Sequence, residues 1–288
     1  MAILYLVSTP IGNLGDLSLR AAETLSGVSR ILAEDTRRTR PLLTHLGLNT
    51  PLVSFHAHNE VGREEAVLGW LGQGEDIGLV SDAGTPLVSD PGERLVQAVL
   101  AAGHSVVPIP GPSAILTALV ASGLPSNRFS FLGFLPRKGT ERKELLERLA
   151  TSAETTVLFE SPERLASLLE ALVETCGPSR RGAVGREMTK LHEEFVRGTL
   201  EELRVHFSGP APRGEVTFVL EAAGDEGEAP GIDHAAASAL AGALLEEGVS
   251  PSRAAREIAK RLRIPRNQAY RVVQATAERR DEGEAPSS

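Results

Sequence analysis

Two successive α/β layers followed by a small helical module are predicted by three features of the sequence. Short apolar runs alternate with helix-period stretches from Ile3 to Glu221. The stretch AAGDEGEAPG, at 222–231, breaks that alternation with the composition of a flexible linker. The residues beyond it, up to Arg280, form helices and are strongly basic. A chain of 288 residues exceeds the usual single core, so two domains and an appendage agree with its length.

In order along the chain, the first layer has strand-like runs at Ile3 to Ser8, Arg30 to Glu34, Leu52 to Phe55, Ile77 to Ser81 and Ser105 to Ile109. Between them SLRAAETL, RPLLTHLG, EEAVLGWLG and ERLVQAVLAAG place apolar residues at helical spacing. Such alternation predicts a mostly parallel sheet. A second set of strands falls at Phe129 to Gly133, Thr155 to Phe159, Gly182 to Glu187 and Glu215 to Glu221, with helices KGTERKELLERLA and PERLASLLEALVETC. Fewer crossovers there predict a mixed sheet. The expected divisions are 1–112, 113–223, a linker at 224–232, a helical module at 233–280 and a disordered tail at 281–288.

Composition narrows the function classes. Hydrophobic residues make up 41% and charged ones 24%, with no apolar run of the roughly 20 residues that a membrane helix needs. MAILYLVSTP lacks a basic leader and reads as a first buried strand, so a cytoplasmic protein with no membrane partner is expected. The lone Cys176 excludes a disulfide framework and multi-cysteine metal sites, and it reads as a small core residue. Net charge is −8, but Pro251 to Arg280 holds nine basic and two acidic residues, leaving +7 there and −15 elsewhere. The basic end is the part suited to nucleic acid.

Three loops carry the ligand chemistry, each after a strand: STPIGNLGD from Ser8, SDAGTPLVSDPG from Ser81, and VVPIPGPSA from Val106. Loops at the carboxyl ends of strands are where open α/β sheets hold ligands. Ala83 and Gly84 suit close backbone approach, Asp82 suits a hydrogen-bond acceptor, and Asp90 reads as a cap for the next helix. No Walker string occurs, GQGEDIG precedes a strand instead of following one, and LHEEF lacks the second His of a zinc protease. The expected ligand therefore has an adenine edge, ribose hydroxyls and an amino-acid end without phosphates, and needs no metal.

These loops in this order resemble the cofactor loops of the tetrapyrrole methylase superfamily. LYLVSTPIGNLGDLSLRA, ILAEDTRRTRPLL, SFHAHNE, LVSDAGTPLVSDPG, PIPGPSA, GFLPRKG, LFESPERL and REMTKLHEEFVRGTL together resemble its bacterial branch of small-subunit ribosomal RNA (cytidine) ribose 2′-O-methyltransferases. The resemblance implies a knotless, non-Rossmann two-domain fold with the cofactor S-adenosyl-L-methionine in a cleft between the domains, usually as a homodimer. It places cofactor contacts at Pro10, at Asp82, Ala83, Gly84, Thr85 and Leu87, at Ser113 and Ala114, and at Phe159, Glu160 and Ala183. Where porphyrin members carry Gly-Gly-Asp-Pro, this chain has Ser-Asp-Ala-Gly-Thr-Pro. The implied substrate is a cytidine in the decoding region, in small-subunit ribosomal RNA or the assembled small subunit.

Methyl transfer to a ribose hydroxyl needs in-line placement, and gains from a proton acceptor or a cation that stabilises the alkoxide. Candidates lie in AEDTRRT (Glu34, Asp35, Arg37), FHAHNE (His56, Asn59, Glu60) and REMTK (Arg186, Glu187, Lys190), with Asp35, His56 and Lys190 as the catalytic set. Asp35 could equally cap the following helix, and Arg37, Arg38 and Arg40 could be a solvated face. In the terminal module Ser250 and Pro251 open one helix and IPRNQAYRVVQATAERR forms another, a helix-turn-helix pattern. Arg37, Arg38, Arg266, Asn267 and Arg271 are the expected RNA contacts, with Gln268 beside them, and Ala254, Ile258, Leu262, Tyr270 and Val273 the expected small core. The alternatives are methylation of a small tetrapyrrole, which needs no basic appendage, and a non-catalytic ligand-sensing nucleic-acid-binding protein.

Overall fold

The computed structural model describes residues 2–223, 234–262, 264 and 266–283. The expected linker and residues 284–288 of the expected tail lie outside the described residues, whereas 281–283 continue the last helix. The chain forms two compact units, Met1–Ala118 with Arg186–Glu194, and Leu119–Gly185 with Phe195–Ser288. The division thus falls after residue 118, within a helix, and not at 112. The second unit gives up 186–194 to the first because that segment packs on the loop around Gly12.

The first unit contains β1 (Ile3–Val7), α1 (Leu19–Gly27), β2 (Arg30–Ala33), α2 (Thr36–His45), β3 (Leu52–Ser54), α3 (Glu60–Gly72), β4 (Ile77–Val80), α4 (Glu93–Ala101), β5 (Ser105–Ile109) and the first half of α5 (Ala114–Ser122). Its sheet has the order β3-β2-β4-β1-β5, and its strand pairs are parallel. Connections from β1 and β2 run toward the β3 edge, and those from β3 and β4 run back toward β5. Right-handed crossovers then require the two sets of helices to cover opposite faces. The packing agrees: Leu25, Val28, Leu42 and Leu43 share one core, and Val67, Leu71, Leu95 and Val99 share another. Because the connections diverge after β2 and β4, a crevice opens there at the carboxyl ends of the strands.

The second unit completes α5 and adds β6 (Phe129–Phe134), α6 (Thr140–Thr151), β7 (Thr155–Glu160), α7 (Pro162–Cys176), β8 (Arg181–Arg186), β9 (Glu194–Thr199), α8 (Leu200–His206) and β10 (Val216–Leu220). The sheet order is β6-β7-β10-β8-β9, with β6 parallel and β10 antiparallel to β7, so this sheet is mixed as the sequence predicts. The sequence reading missed β9 and α8. A readable signal was present in Thr199-x-x-Glu202, a capping box: the Glu202 N–H donates to Thr199 Oγ1 at 3.2 Å and the Thr199 N–H to Glu202 Oε2 at 2.8 Å.

The C-terminal helices α9 (His234–Glu246), α10 (Pro251–Leu262) and α11 (Arg266–Gly283) pack around their own core of small apolar residues, including Ala237, Ala241, Ala254, Ile258 and Val273. Tyr270 departs from expectation: it is 38% exposed and not part of that core, because Ala269, Val272 and Val273 supply the buried stripe of α11. No described helix is long and apolar enough to cross a membrane.

Close packing in the second unit gives a direct test. A Cβ at Gly182 would stand 3.0 Å from Phe218 Cζ and 3.2 Å from Leu203 Cδ1, both in the buried core. Gly182→Leu is expected to cost about 1–3 kcal/mol through overpacking, read as a lower urea midpoint, while Gly209→Leu, with open space around it, leaves the midpoint nearly unchanged.

Candidate active site

The three loops singled out by sequence meet at the carboxyl ends of β1, β4 and β5. Thr9 N–H donates to Gly84 O at 2.8 Å and Gly84 N–H returns the bond to Thr9 O at 3.0 Å, a two-residue antiparallel bridge between loops that leave parallel strands. Gly84 holds φ +79, which a side chain disfavours, and a Cβ there would meet Ile11 Cγ2 at 3.4 Å. Its backbone polar groups are thus engaged with Thr9, and Gly84 acts as a loop tie. On the other flank Ser8 N–H donates to Ile109 O at 3.2 Å, and a Cβ on Gly111 would lie 3.0 Å from Ser8 Cβ. The Ser8 hydroxyl donates to Thr85 Oγ1 at 3.2 Å, and the Thr85 hydroxyl to Pro112 O at 3.4 Å, so small hydroxyl residues lace all three loops. Ser8 and Thr9 are buried, and the sequence reading did not single them out.

Pro10 and the half-buried Ala83 follow directly on this lacing, and Ser81 Oγ donates to Ala83 O at 3.2 Å. Leu87 and Ser89 adopt φ +73 and +69, a conformation that costs a non-glycine residue about 1–3 kcal/mol and persists only where surroundings impose it. Ser113 and Ala114 open α5, with Ser113 O accepting from Thr117 N–H at 3.0 Å. Asp90 does not cap α4: the cap position is Gly92, which carries no side-chain cap, because Pro91 and Gly92 hold Asp90 two residues back. A cavity of about 510 Å³ opens beside it, lined by Glu60, Asp90, Gly92, Glu93, Arg94 and Gln97 among others.

The crevice between β2 and β4 is acidic. Asp82 Oδ1 accepts the Asp35 N–H at 2.9 Å and Oδ2 lies 3.4 Å from Arg38 Nε, so Asp82 ties the two strand ends together. Burial, reinforced by Asp82, raises the pKa of Glu34 against the opposing pull of Arg38 and His56. Burial first and Glu34 second push Asp90 up to about 6, while a Ser81 hydrogen bond works the other way.

The catalytic candidates are in the same unit with distinct commitments. Asp35 caps α2, accepting the Arg37 N–H at 2.9 Å, and hydrogen bonds from the Arg37 side chain and backbone hold its pKa down to about 2. A carboxylate that acidic is a weak base. His56 N–H donates to Asn59 Oδ1 at 2.8 Å, and the Asn59 amide stands 3.2 Å from Nε2; with the amide as donor, the neutral ring carries its proton on Nδ1. Lys190 Nζ lies 2.9 Å from Glu187 Oε1, and its stem covers Gly12, where a Cβ would clash with Lys190 Cγ and stand 3.0 Å from Met188 O. Glu187 and Thr189 hold φ +48 and +67, so the segment carrying Lys190 is strained. Gly12 is the residue the sequence reading missed here, and the departure of its loop from bulky residues was the available signal. Arg37 and Arg38 are exposed on α2 and pair with Asp35 and Asp82.

The remaining expected residues belong to the second unit. Phe159 stacks edge-on with Phe131 at 4.9 Å, Ala183 is buried within β8, and Glu160 is 2% exposed, paired with Arg164 Nε at 3.1 Å. Arg271 on α11 is half-buried and adds to the positive field at Arg180; Arg266 and Asn267 open α11, and their side chains lie outside the described residues. On α10, Arg253, Arg256 and Lys260 lie exposed on one face while Ala254, Ala255 and Ile258 are buried, a cationic stripe the sequence reading did not separate from the rest. Among the described residues no three His, Cys, Asp or Glu side chains converge as metal ligands.

Comparison with known proteins places this geometry. Residues 3–204 match the family described as Tetrapyrrole (Corrin/Porphyrin) Methylases. The chain is 44% identical over 272 residues to Ribosomal RNA small subunit methyltransferase I of Synechocystis sp., covering 94% of this chain and 97% of that one. It is 45% identical over 269 residues to the protein of the same name from Xylella fastidiosa, covering 93% and 97%. Among solved structures, the uroporphyrin-III C-methyl transferase of Thermus thermophilus complexed with S-adenyl homocysteine superposes with a TM-score of 0.54 at 20% identity, over 76% of this chain and 97% of that one.

The raised Asp90 carboxyl has a signature in stability. The folded state holds this proton more tightly than the unfolded chain, so its contribution is fully present below pH 4 and is lost as pH rises toward 6. Asp90→Asn is therefore expected to stabilise the protein at pH 7.5 by about 1 kcal/mol once solvent screening is allowed for, with the gain shrinking toward pH 4.5. Urea titrations at the two pH values read the difference.

Proposed function

The chain belongs to the tetrapyrrole (corrin/porphyrin) methylases, and from that premise we propose that it is an S-adenosylmethionine-dependent methyltransferase of small-subunit ribosomal RNA, acting on the ribose 2′-hydroxyl of a cytidine in the decoding region. The observation that carries the substrate class is the identity of 44–45% to small-subunit ribosomal RNA methyltransferases over nearly the whole chain, the basic C-terminal helices included. A methylase of small tetrapyrroles has no use for the exposed Arg253, Arg256 and Lys260 of α10, and a ligand sensor has no use for a strained lysine segment beside the cofactor loops.

The residues of the first unit fit the cofactor. Carboxylates of Glu34, Asp82 and Asp90 at the strand ends favour a cationic ligand and disfavour phosphate. Bound there, S-adenosylmethionine supplies a methyl group already activated by its sulfonium. Pro10, Asp82 to Leu87, Ser113 and Ala114 would hold it through a backbone that the Thr9–Gly84 bridge keeps rigid. On the acceptor side the Asn59 contact to His56 Nε2 and the low pKa of Asp35 leave these two poorly prepared to take a proton. Lys190 suits another role. Its ammonium, oriented by Glu187, would stabilise the developing ribose alkoxide as the oxygen attacks. Arg37, Arg38, Arg266, Asn267 and Arg271 are the proposed RNA contacts, joined by the α10 stripe.

Incubating assembled small subunits with protein and methyl-labelled cofactor, followed by nucleoside mass spectrometry, tests the reading. A labelled 2′-O-methylcytidine is expected; label in a base, or none, would overturn it. Lys190→Ala should lower turnover roughly 10²-fold with S-adenosylhomocysteine affinity unchanged by calorimetry, whereas Asp35→Asn and His56→Ala should cost less than Lys190→Ala.

A further inference from the structure

The second unit contains a loop whose construction the cofactor and the C-terminal module leave unexplained. Strand β6 is irregular between Phe131 and Phe134, and Gly133 holds φ +62. This turns Phe134 outward, 57% exposed, with its ring tilted over Phe159 at 5.6 Å. The next two carbonyls are each held by an arginine: Arg164 donates to Leu135 O at 2.7 Å and Arg142 to Pro136 O at 3.1 Å. Arg164 is in turn anchored on the buried Glu160 at 3.1 Å. The loop is thus pinned from below at consecutive residues. Its tip then presents Arg137 and Lys138, both exposed and neither with an acidic partner among the described residues. From Arg137 to Lys143 the sequence RKGTERK carries four basic residues and one acidic.

An aromatic ring held in solvent beside two unneutralised cations on a rigid backbone is the arrangement that binds single-stranded nucleic acid, the ring stacking on a base and the cations meeting phosphates. We propose that Phe134, Arg137 and Lys138 form an RNA contact on the second unit, taking a single-stranded segment of the substrate. The proposal rests on the reading of the protein as an RNA methyltransferase and adds a surface to it. Pinning matters because a floppy pair of cations would lose part of its gain to ordering, and the Glu160–Arg164 pair, by holding the Leu135 carbonyl, reduces the backbone share of that loss.

The test uses the full-length protein and a fluorescein-labelled single-stranded RNA oligonucleotide in anisotropy titrations at several salt concentrations. Arg137→Ala with Lys138→Ala should weaken binding at least tenfold at low salt and flatten the log–log salt dependence by about 1.4, since each lost phosphate contact on a single strand removes about 0.7. Phe134→Ala should weaken binding with the slope unchanged. S-adenosylhomocysteine affinity and the urea midpoint should stay at wild-type values in the double variant, because both of its side chains are exposed. Wild-type affinity and slope in the double variant would overturn the inference while leaving the methyltransferase reading intact. A loss confined to assembled subunits, with oligonucleotide binding unaltered, would overturn it too and assign the loop to a ribosomal protein surface. If the wild-type protein binds no RNA and methylates none, both readings fall together.

Discussion

The bridge between Thr9 and Gly84 is the constraint on which the site depends. Strands β1 and β4 are neighbours, yet their following helices go to opposite faces of the sheet, so their loops would separate where the strands end. Two backbone hydrogen bonds hold them together, and Ser8 fixes the same loop to the end of β5. At about 0.5–1.5 kcal/mol each, those bonds are comparable in size to the cost of the left-handed Leu87 and Ser89 that follow. The strained turn and the bridge are therefore two parts of one device. Gly84 supplies the positive φ, which strains any side chain placed there, and Gly111 the close approach, where a side chain would press on Ser8.

The acidic crevice follows from the same topology. Switching the direction of connection between β2 and β4 leaves a gap, and Asp82, at the end of β4, spans it by holding both the Asp35 amide and Arg38 beyond the end of β2. Glu34 and Asp90 then sit where water is partly excluded; Asp82 makes Glu34 harder to ionise, and Glu34 in turn does the same to Asp90. The result is a site with negative potential and no phosphate cradle. Asp35 is drawn out of this set by its cap and by Arg37, which explains how two adjacent carboxylates, Glu34 and Asp35, have pKa values displaced in opposite directions.

Much of this fold was legible in the sequence because parallel strands buried on both faces read as apolar runs ended by turn residues. Five strands of the first unit and four of the second stand within a residue or two of where the runs place them. Strand β9 was not legible: EFVRGT is half-buried, with charges at both ends of a short apolar pair, so no run or alternation marks it. The loops of the site were visible as clusters of Gly, Pro, Ser and Thr, but their bonding partners were not, since Thr9 meets Gly84 across a sequence gap that no local pattern encodes. Asp90 shows the limit from the other side. An acid just before a helix looks like a cap, and only the Pro91-Gly92 geometry reveals that the cap position belongs to glycine. Tyr270 was misplaced for a similar reason, as helical spacing allowed it on the apolar stripe that Ala269 and Val273 already fill.

An acidic crevice and a polyanionic substrate impose opposing demands. The carboxylates that suit a cationic cofactor repel phosphates, and over a Debye length of about 8 Å at physiological salt the repulsion weakens but is not lost. For the RNA substrate proposed above, a protein of net charge −8 would have to confine its positive charge to separate faces that carry few acids. The C-terminal helices do this with their composition. Their core is mostly alanine and valine with Leu244 and Ile258, and the long cationic side chains of α10 lie on the surface, where among the described residues Arg261 pairs with Glu257 at 2.8 Å. The loop after β6 does it by architecture, spending two arginines on its own carbonyls so that two other cations are displayed. Arg164 and Arg142 would otherwise count as charge available to a ligand, and in this fold they are the scaffold.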